Sequence, residues 1–199
     1  AVTLLDPQPG ERVLDLCAAP GGKSTQIAAL TQDRGLLWSN EVVRSRASVL
    51  ASNLERMGVK NAVVSSVYPD VLAEKLAGYF DRVLVDAPCS GEGMFRRDPA
   101  AVQEWSPAHV ETCAVRQLAI LKSAARCVRA GGVLVYSTCT FSAEENEGVV
   151  RAFLAENPGF VLEKPAVSFG RPAYGLDAVR IFPMLSLIHI SEPTRLQLI

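Results

Sequence analysis

Arg12-Val-Leu-Asp-Leu-Cys-Ala-Ala-Pro-Gly-Gly-Lys-Ser-Thr25 is the stretch that decides the fold. Its first five residues form a short apolar run, as expected of a buried strand, and from Ser24 to Leu30 the apolar period becomes helical. Between them lie small residues and paired glycines, which let a backbone approach a ligand closely just before a helix begins. The spacing is not the GxGxxG dinucleotide fingerprint, and Lys23-Ser24 matches only the tail of a GxxxxGK[ST] phosphate loop. A nucleoside-like cofactor fits this loop better than a phosphate group. Glu41, twenty residues past Gly21 and just after the next apolar run, is placed to accept hydrogen bonds from ribose hydroxyls.

Working outward, strand-like and helix-like stretches alternate. Leu36-Leu-Trp-Ser39 precedes a helical stretch from Arg44 to Met57, Val63-Val64 precedes one from Asp70 to Ala77, and Arg82-Val-Leu-Val85 is followed by a loop. A long helix is expected from Pro107 to Val128, with Ser106-Pro107 as its N-cap and first turn and Gly131-Gly132 closing it before the strand Val133-Leu-Val-Tyr136. A last helix is expected from about Ala143 to Glu156, opened by a capping box of Ser142 and Glu145. This alternation predicts an α/β fold, a mostly parallel sheet with helices on both faces, whose ligands bind at the C-terminal ends of the strands. No internal repeat or low-complexity segment interrupts it.

The 199 residues, 49% of them apolar, suffice for one sizeable core, so a single domain is expected. Twenty basic against 21 acidic side chains leave a net charge of −1, without the basic footprint of a self-sufficient nucleic-acid binder. Five cysteines (Cys17, Cys89, Cys113, Cys127, Cys139) and no signal-like start argue against a disulfide framework and for free thiols in a reducing cytoplasm. With two histidines and no CxxC pair, no metal site is expected, and no apolar run reaches membrane-spanning length. The start at Ala1, about a dozen residues before the first strand, predicts a missing upstream portion. Leu185-Ser-Leu-Ile-His-Ile-Ser-Glu-Pro-Thr-Arg195 reads like a translated sequencing adapter, so residues 185–199 are expected to be non-native and residues 1–184 to be the catalytic core.

Two further loops carry chemistry. Asp86-Ala-Pro-Cys-Ser-Gly91 and Tyr136-Ser-Thr-Cys-Thr-Phe141 each follow a strand, so each delivers a cysteine, Cys89 or Cys139, to the ligand edge of the sheet. Their flanks are small and polar, which suits accessible thiols. Cys113 and Cys127, within the long helical stretch, read as buried apolar residues. A thiolate of this kind is what carbon 5 of cytosine needs: addition at carbon 6 makes carbon 5 nucleophilic toward a methyl donor, and a second acid/base group then aids release. Asp86 could hydrogen-bond the base edge of such an adduct, and Lys23 could neutralise developing charge. Arg96 and Arg97 are candidates to clamp a phosphate beside a flipped nucleotide, and Phe95 and Trp105 to stack on a base.

Cys17-Ala-Ala-Pro-Gly-Gly-Lys23, Asp86-Ala-Pro-Cys-Ser-Gly91 and Ser137-Thr-Cys-Thr140, in that order, resemble the motifs of the RNA 5-methylcytosine methyltransferase family of Sun and Nop type. Gly91-Glu-Gly-Met-Phe-Arg-Arg-Asp-Pro99, Trp105 and Glu144-Glu-Asn-Glu147 are most similar to its RsmF (YebU) branch of ribosomal RNA methyltransferases. The resemblance covers about Leu4 to Pro183. It implies a Rossmann-like, S-adenosylmethionine-dependent methyltransferase fold that modifies carbon 5 of cytosine in RNA, with ribosomal RNA as the partner. It implies Cys139 as nucleophile and Cys89 as the residue that assists release. It further implies cofactor contacts from Cys17, Ala18, Ala19, Pro20, Gly21, Gly22, Lys23, Glu41 and Asp86. The adenine-contacting residue cannot be aligned within Ser65-Ser-Val-Tyr-Pro-Asp70, where Tyr68 or Asp70 could substitute, and the family's RNA-binding flanks are expected to lie outside these 199 residues. A monomer is expected. The rival readings are a DNA cytosine-C5 methyltransferase, in which Cys89 would be the nucleophile, and a non-catalytic RNA-binding assembly factor. A nicotinamide oxidoreductase and an adenine-N6 methyltransferase fit less well.

Overall fold

The structure, a computed structural model, describes residues 1–165, 167, 170–182 and 197–198. Its chain divides into two compact units. Ala1–Asp86 with Ile120–Val135 form the first, and the second comprises Ala87–Ala119 and the chain from Tyr136 onward.

The first unit contains α1 (Val2–Leu5), β1 (Arg12–Asp15), α2 (Gly22–Thr31), β2 (Leu36–Asn40), α3 (Arg44–Arg56), β3 (Ala62–Ser65), α4 (Pro69–Lys75) and β4 (Phe80–Asp86). Ile120–Cys127 and Val128–Val135 complete it with the end of one helix and most of a strand. The sheet order is β3-β2-β1-β4-β5, β5 being Val128–Thr138, and β1 pairs in parallel with β2 (Val13 opposite Leu37) and with β4 (Val13 opposite Arg82). The strand order therefore reverses at β1/β4, as in doubly wound sheets. Val13, Leu14, Leu16, Ile27, Leu50, Val83, Leu84 and Val85 have no exposed surface. Runs such as Val83-Leu-Val85 are apolar without alternation because a parallel sheet is buried on both faces. Each such side chain contributes about 1.5–3 kcal/mol of burial free energy.

The second unit contains a 3₁₀ turn (Glu92–Met94), α5 (Pro99–Glu104), most of α6 (Pro107–Cys127), the end of β5, a π-helical turn (Glu144–Gly148) leading into α7 (Val149–Glu156), and the hairpin β6 (Arg171–Ala173)/β7 (Leu176–Arg180). The Ser106 hydroxyl accepts from the His109 amide at 3.1 Å, so the expected N-cap of α6 is formed. Of the expected non-native tail, residues 185–199, only Gln197–Leu198 (β8) lie among the described residues, paired antiparallel with Ser137–Thr138 and Val179.

Three local expectations are corrected. Gly131-Gly132 do not close the long helix: α6 ends at Cys127 and both glycines lie within β5, where a Cβ on Gly132 would come 2.7 Å from the Asp81 carbonyl oxygen. They serve close strand approach rather than a helix end. The stretch after β4 is not all loop, because Asp98 accepts from the Ala100 amide at 3.0 Å and starts α5 with Pro99 at its first turn. The capping box forms only by half. Ser142 Oγ accepts from the Glu145 amide at 3.2 Å, but the Glu145 carboxylate is engaged elsewhere and the last helix opens as a π turn.

Candidate active site

In the first unit the strand ends carry the polar groups. Asp15 closes β1 fully buried, accepting from Ser24 Oγ at 2.7 Å through Oδ2, while its Oδ1 has no hydrogen-bond partner among the described residues. Burial pushes its carboxyl up to about 7, against the opposing pull of the Ser24 hydrogen bond. The loop that follows is tied down through its carbonyls: Asn53 Nδ2 donates to Pro20 O at 2.7 Å and Arg46 Nη2 to Ala19 O at 3.2 Å. Cys17 lies within this loop, and burial followed by the carboxylates of Asp15 and Glu41 raises its thiol above the ordinary range. It is thus a packed neutral thiol. Ala18 is buried, and the Ala19-Pro20 peptide is cis.

Gly21 takes φ +112°, a conformation that an L side chain rarely adopts, and a Cβ on Gly22 would meet nothing within 4 Å. Space therefore opens in front of α2, whose first turn has no side-chain cap. Glu41, after β2, is 6% exposed, with Oε1 accepting from the Val43 amide at 2.9 Å and Oε2 3.4 Å from Arg46 Nη1. Lys23 Nζ and Asp86 Oδ2 form an ion pair at 2.6 Å, which commits the lysine charge to that carboxylate. Tyr68 and Asp70 flank the start of α4; Tyr68 is 67% exposed, and Asp70 Oδ1 accepts from the Val71 amide at 2.9 Å.

In the second unit the two cysteine loops meet. Cys89 Sγ and Cys139 Sγ are 3.0 Å apart, with Cys139 exposed and Cys89 partly buried. The hydrogen bond to Cys139, then burial, raises the Cys89 thiol far above its ordinary range, and either sulfur can be the donor between them. The loops are stitched together beyond the sulfurs. Ser90 Oγ and Thr140 Oγ1 lie 3.0 Å apart, the Gly93 amide donates to Cys139 O at 2.8 Å, and the Phe141 amide donates to Glu92 Oε2 at 2.8 Å. Only glycine fits at 93, where a Cβ would come 2.4 Å from Cys139 O. Trp105 Nε1 donates to Glu92 Oε1 at 3.0 Å, which gives the indole a bracing role, while Arg96 and Arg97 are exposed. Cys113 and Cys127 are buried, as the sequence suggested.

Several residues of the site carry no clear sequence signal. Asp15 reads as the polar end of a strand, and Gln117 lies in the middle of a long amphipathic helix. Glu145 and Asn146 stand within the Glu-Glu-Asn-Glu stretch of the resemblance, where the local pattern offers a cap for Glu145 and no role for Asn146. No group of three or more potential metal-ligating side chains occurs among the described residues, nor is any helix there long and apolar enough to cross a membrane.

Residues 2–186 match the family model described as 16S rRNA methyltransferase RsmB/F. The chain is 45% identical over 155 residues to ribosomal RNA small subunit methyltransferase F of Erwinia tasmaniensis, covering 78% of this chain and 32% of that protein. To the protein of the same name from Vibrio vulnificus it is 50% identical over 139 residues, covering 70% and 29%. It thus spans about a third of the length of these curated relatives. Among solved structures it is similar to NSun6 from Pyrococcus horikoshii with SFG, at TM-score 0.82 and 34% identity, covering 92% of this chain and 46% of the other. A SAM-dependent methyltransferase from Aquifex aeolicus, at TM-score 0.54 and 12% identity over 76% of each chain, shares the fold alone. The ordered motifs, the reversal of strand order and the match over nearly the whole chain make this protein a member of the RsmB/F family of 16S rRNA methyltransferases.

Proposed function

We propose that this chain is the catalytic core of an enzyme that methylates carbon 5 of a cytosine in ribosomal RNA through a covalent adduct on Cys139, acting in the cytoplasm as a monomer. The observation that carries it is the pair of sulfurs 3.0 Å apart, Cys139 exposed and Cys89 partly buried. Family membership and the names of the relatives supply the substrate class.

The cofactor proposed is S-adenosylmethionine, and the chain fits it. The open space at Gly22, the uncapped start of α2, the unpartnered Asp15 Oδ1 and the Glu41 carboxylate suit a nucleoside with an amino-acid arm. The Pyrococcus relative was solved with SFG, an analogue of that cofactor. When bound, the cofactor supplies an electrophilic methyl group. Residues 17–23, Glu41 and Asp86 would hold it.

The side chains then divide the work. Cys139 sulfur adds to carbon 6 of the base, forming a carbon–sulfur bond and shifting the carbon 5–carbon 6 electron pair onto carbon 5. Once carbon 5 carries the methyl group, its proton leaves to a base. The carbon–hydrogen pair rebuilds the double bond, and the carbon–sulfur pair returns to Cys139. Cys89, hydrogen-bonded to that sulfur, assists this release, as the family resemblance implies. Asp86, ion-paired to Lys23, would hydrogen-bond the amine edge of the base and stabilise the adduct.

The test places residues 1–182 in the Vibrio vulnificus relative in exchange for its matching segment, then measures 5-methylcytosine and covalently trapped RNA. Cys139→Ala is expected to give neither product nor adduct, and Cys89→Ala to accumulate adduct. Adduct lost in Cys89→Ala while Cys139→Ala stays active would reverse the two roles. Cofactor binding without methylation by any variant would favour a scaffold.

A further inference from the structure

Glu145, Asn146 and Glu147 are consecutive, polar and all but inaccessible, at 0%, 0% and 1% exposure. In an α-helix, neighbouring side chains diverge by about 100°, so three in a row cannot share one buried side. Here the turn is widened: the Gly148 amide donates to Ala143 O, five residues back, at 2.8 Å, closing the π turn Glu144–Gly148.

Each of the three side chains has a separate task. Glu145 Oε2 accepts from the Ser90 amide at 3.0 Å and from Gln117 Nε2 at 2.7 Å, and the same Gln117 nitrogen donates to Pro88 O at 2.9 Å. The peptide groups on both sides of Cys89 are thereby fixed. Asn146 grips the residues on either side of Cys139: Thr138 Oγ1 donates to Asn146 Oδ1 at 2.6 Å, and Asn146 Nδ2 donates to Thr140 O at 3.1 Å. Glu147 accepts from Arg180 Nε at 2.7 Å, and Arg180 Nη1 donates to Phe141 O at 2.9 Å, two residues beyond Cys139.

We propose that the Glu145-Asn146 pair within this π turn consists of positioning residues that set the two thiols, Glu145 with Gln117 aiming Cys89 and Asn146 aiming Cys139. The assignment rests on the covalent mechanism proposed above. Because each residue grips one loop, their losses should separate the two half-reactions. In the segment-exchanged enzyme, Glu145→Ala is expected to raise the ratio of trapped adduct to product, as Cys89→Ala does, by up to about 100-fold. Asn146→Ala is expected to slow adduct formation itself. Glu145→Gln should restore the ratio, since one amide oxygen can accept from both Ser90 and Gln117.

A second measurement uses the 199-residue chain as it stands, following Cys139 alkylation by iodoacetamide against pH alongside the melting temperature. Asn146→Ala should move that profile, because the Cys139 sulfur is no longer held in place 3.0 Å from Cys89. Glu145→Ala and Asn146→Ala lowering adduct and product by one common factor, with an unmoved alkylation profile, would overturn the proposal and leave a merely structural turn. If instead Cys139→Ala still forms adduct, the assignment of Cys139 as nucleophile fails, whatever the turn variants do.

Discussion

Asp15 has no exposed surface, one oxygen bonded to Ser24 and the other without a partner among the described residues. With its carboxyl near 7 in the folded chain and 3.8 as its ordinary value, the folded state holds this proton more tightly than the unfolded one. The stability this contributes is fully present below about pH 4 and is lost as pH rises through about 7, a change on the order of 4 kcal/mol. Urea unfolding of the chain between pH 4 and 8 should therefore show a decline that Asp15→Asn flattens, since an amide oxygen still accepts from Ser24. An equal decline in the variant would move the cause elsewhere. At the same scale, Gly93 shows how little freedom the Thr-Cys loop has: a single methyl group there would collide with the Cys139 carbonyl.

Among the elements, the turn into α7 depends on a buried ion pair. Glu147 and Arg180 are each 1% exposed. Burial alone would raise the Glu147 carboxyl, but the Arg180 hydrogen bond and the Tyr174 amide outweigh it and hold it below its ordinary value. Removing one partner leaves an uncompensated buried charge, so Glu147→Ala should cost about 3–5 kcal/mol in urea unfolding. The double replacement Glu147→Leu with Arg180→Met should recover most of that cost; if the double variant is as unstable as the single, the pair is not the reason. The elements also show what could be read in advance. β1, β2, α3 and β4 were legible because a parallel strand buried on both faces and an amphipathic helix leave clear periods, whereas α2 was legible from the glycine-rich loop that opens it. The role of Glu145 was not legible. Ser-x-x-Glu satisfies the local pattern of a cap, and only the tertiary approach of the Pro-Cys loop diverts that carboxylate to Ser90. Gly131-Gly132 misled for a similar reason, because the nearness of the Asp81 carbonyl is a contact between strands that no local pattern contains.

Taken as a whole, the chain carries 20 basic and 21 acidic side chains and spans about a third of its curated relatives. Its grip on RNA should be weak and only mildly sensitive to salt. With Arg96 and Arg97 as two phosphate contacts, the logarithm of affinity for single-stranded RNA against that of salt should have a slope of about −1.4, as read by fluorescence anisotropy. Arg96→Ala with Arg97→Ala should bring it near zero. A slope several times steeper that survives both substitutions would place the RNA on another surface. The sulfur pair has a consequence of a different kind. Two thiols 3.0 Å apart form a chelate, so a trivalent arsenical that binds two sulfurs at once should settle there, while a reagent needing one sulfur should take the exposed Cys139. Cys113 and Cys127 are shielded by burial and the Cys17 thiol is raised above its ordinary range, which leaves Cys139 as the exposed thiol for a selective covalent inhibitor or reporter.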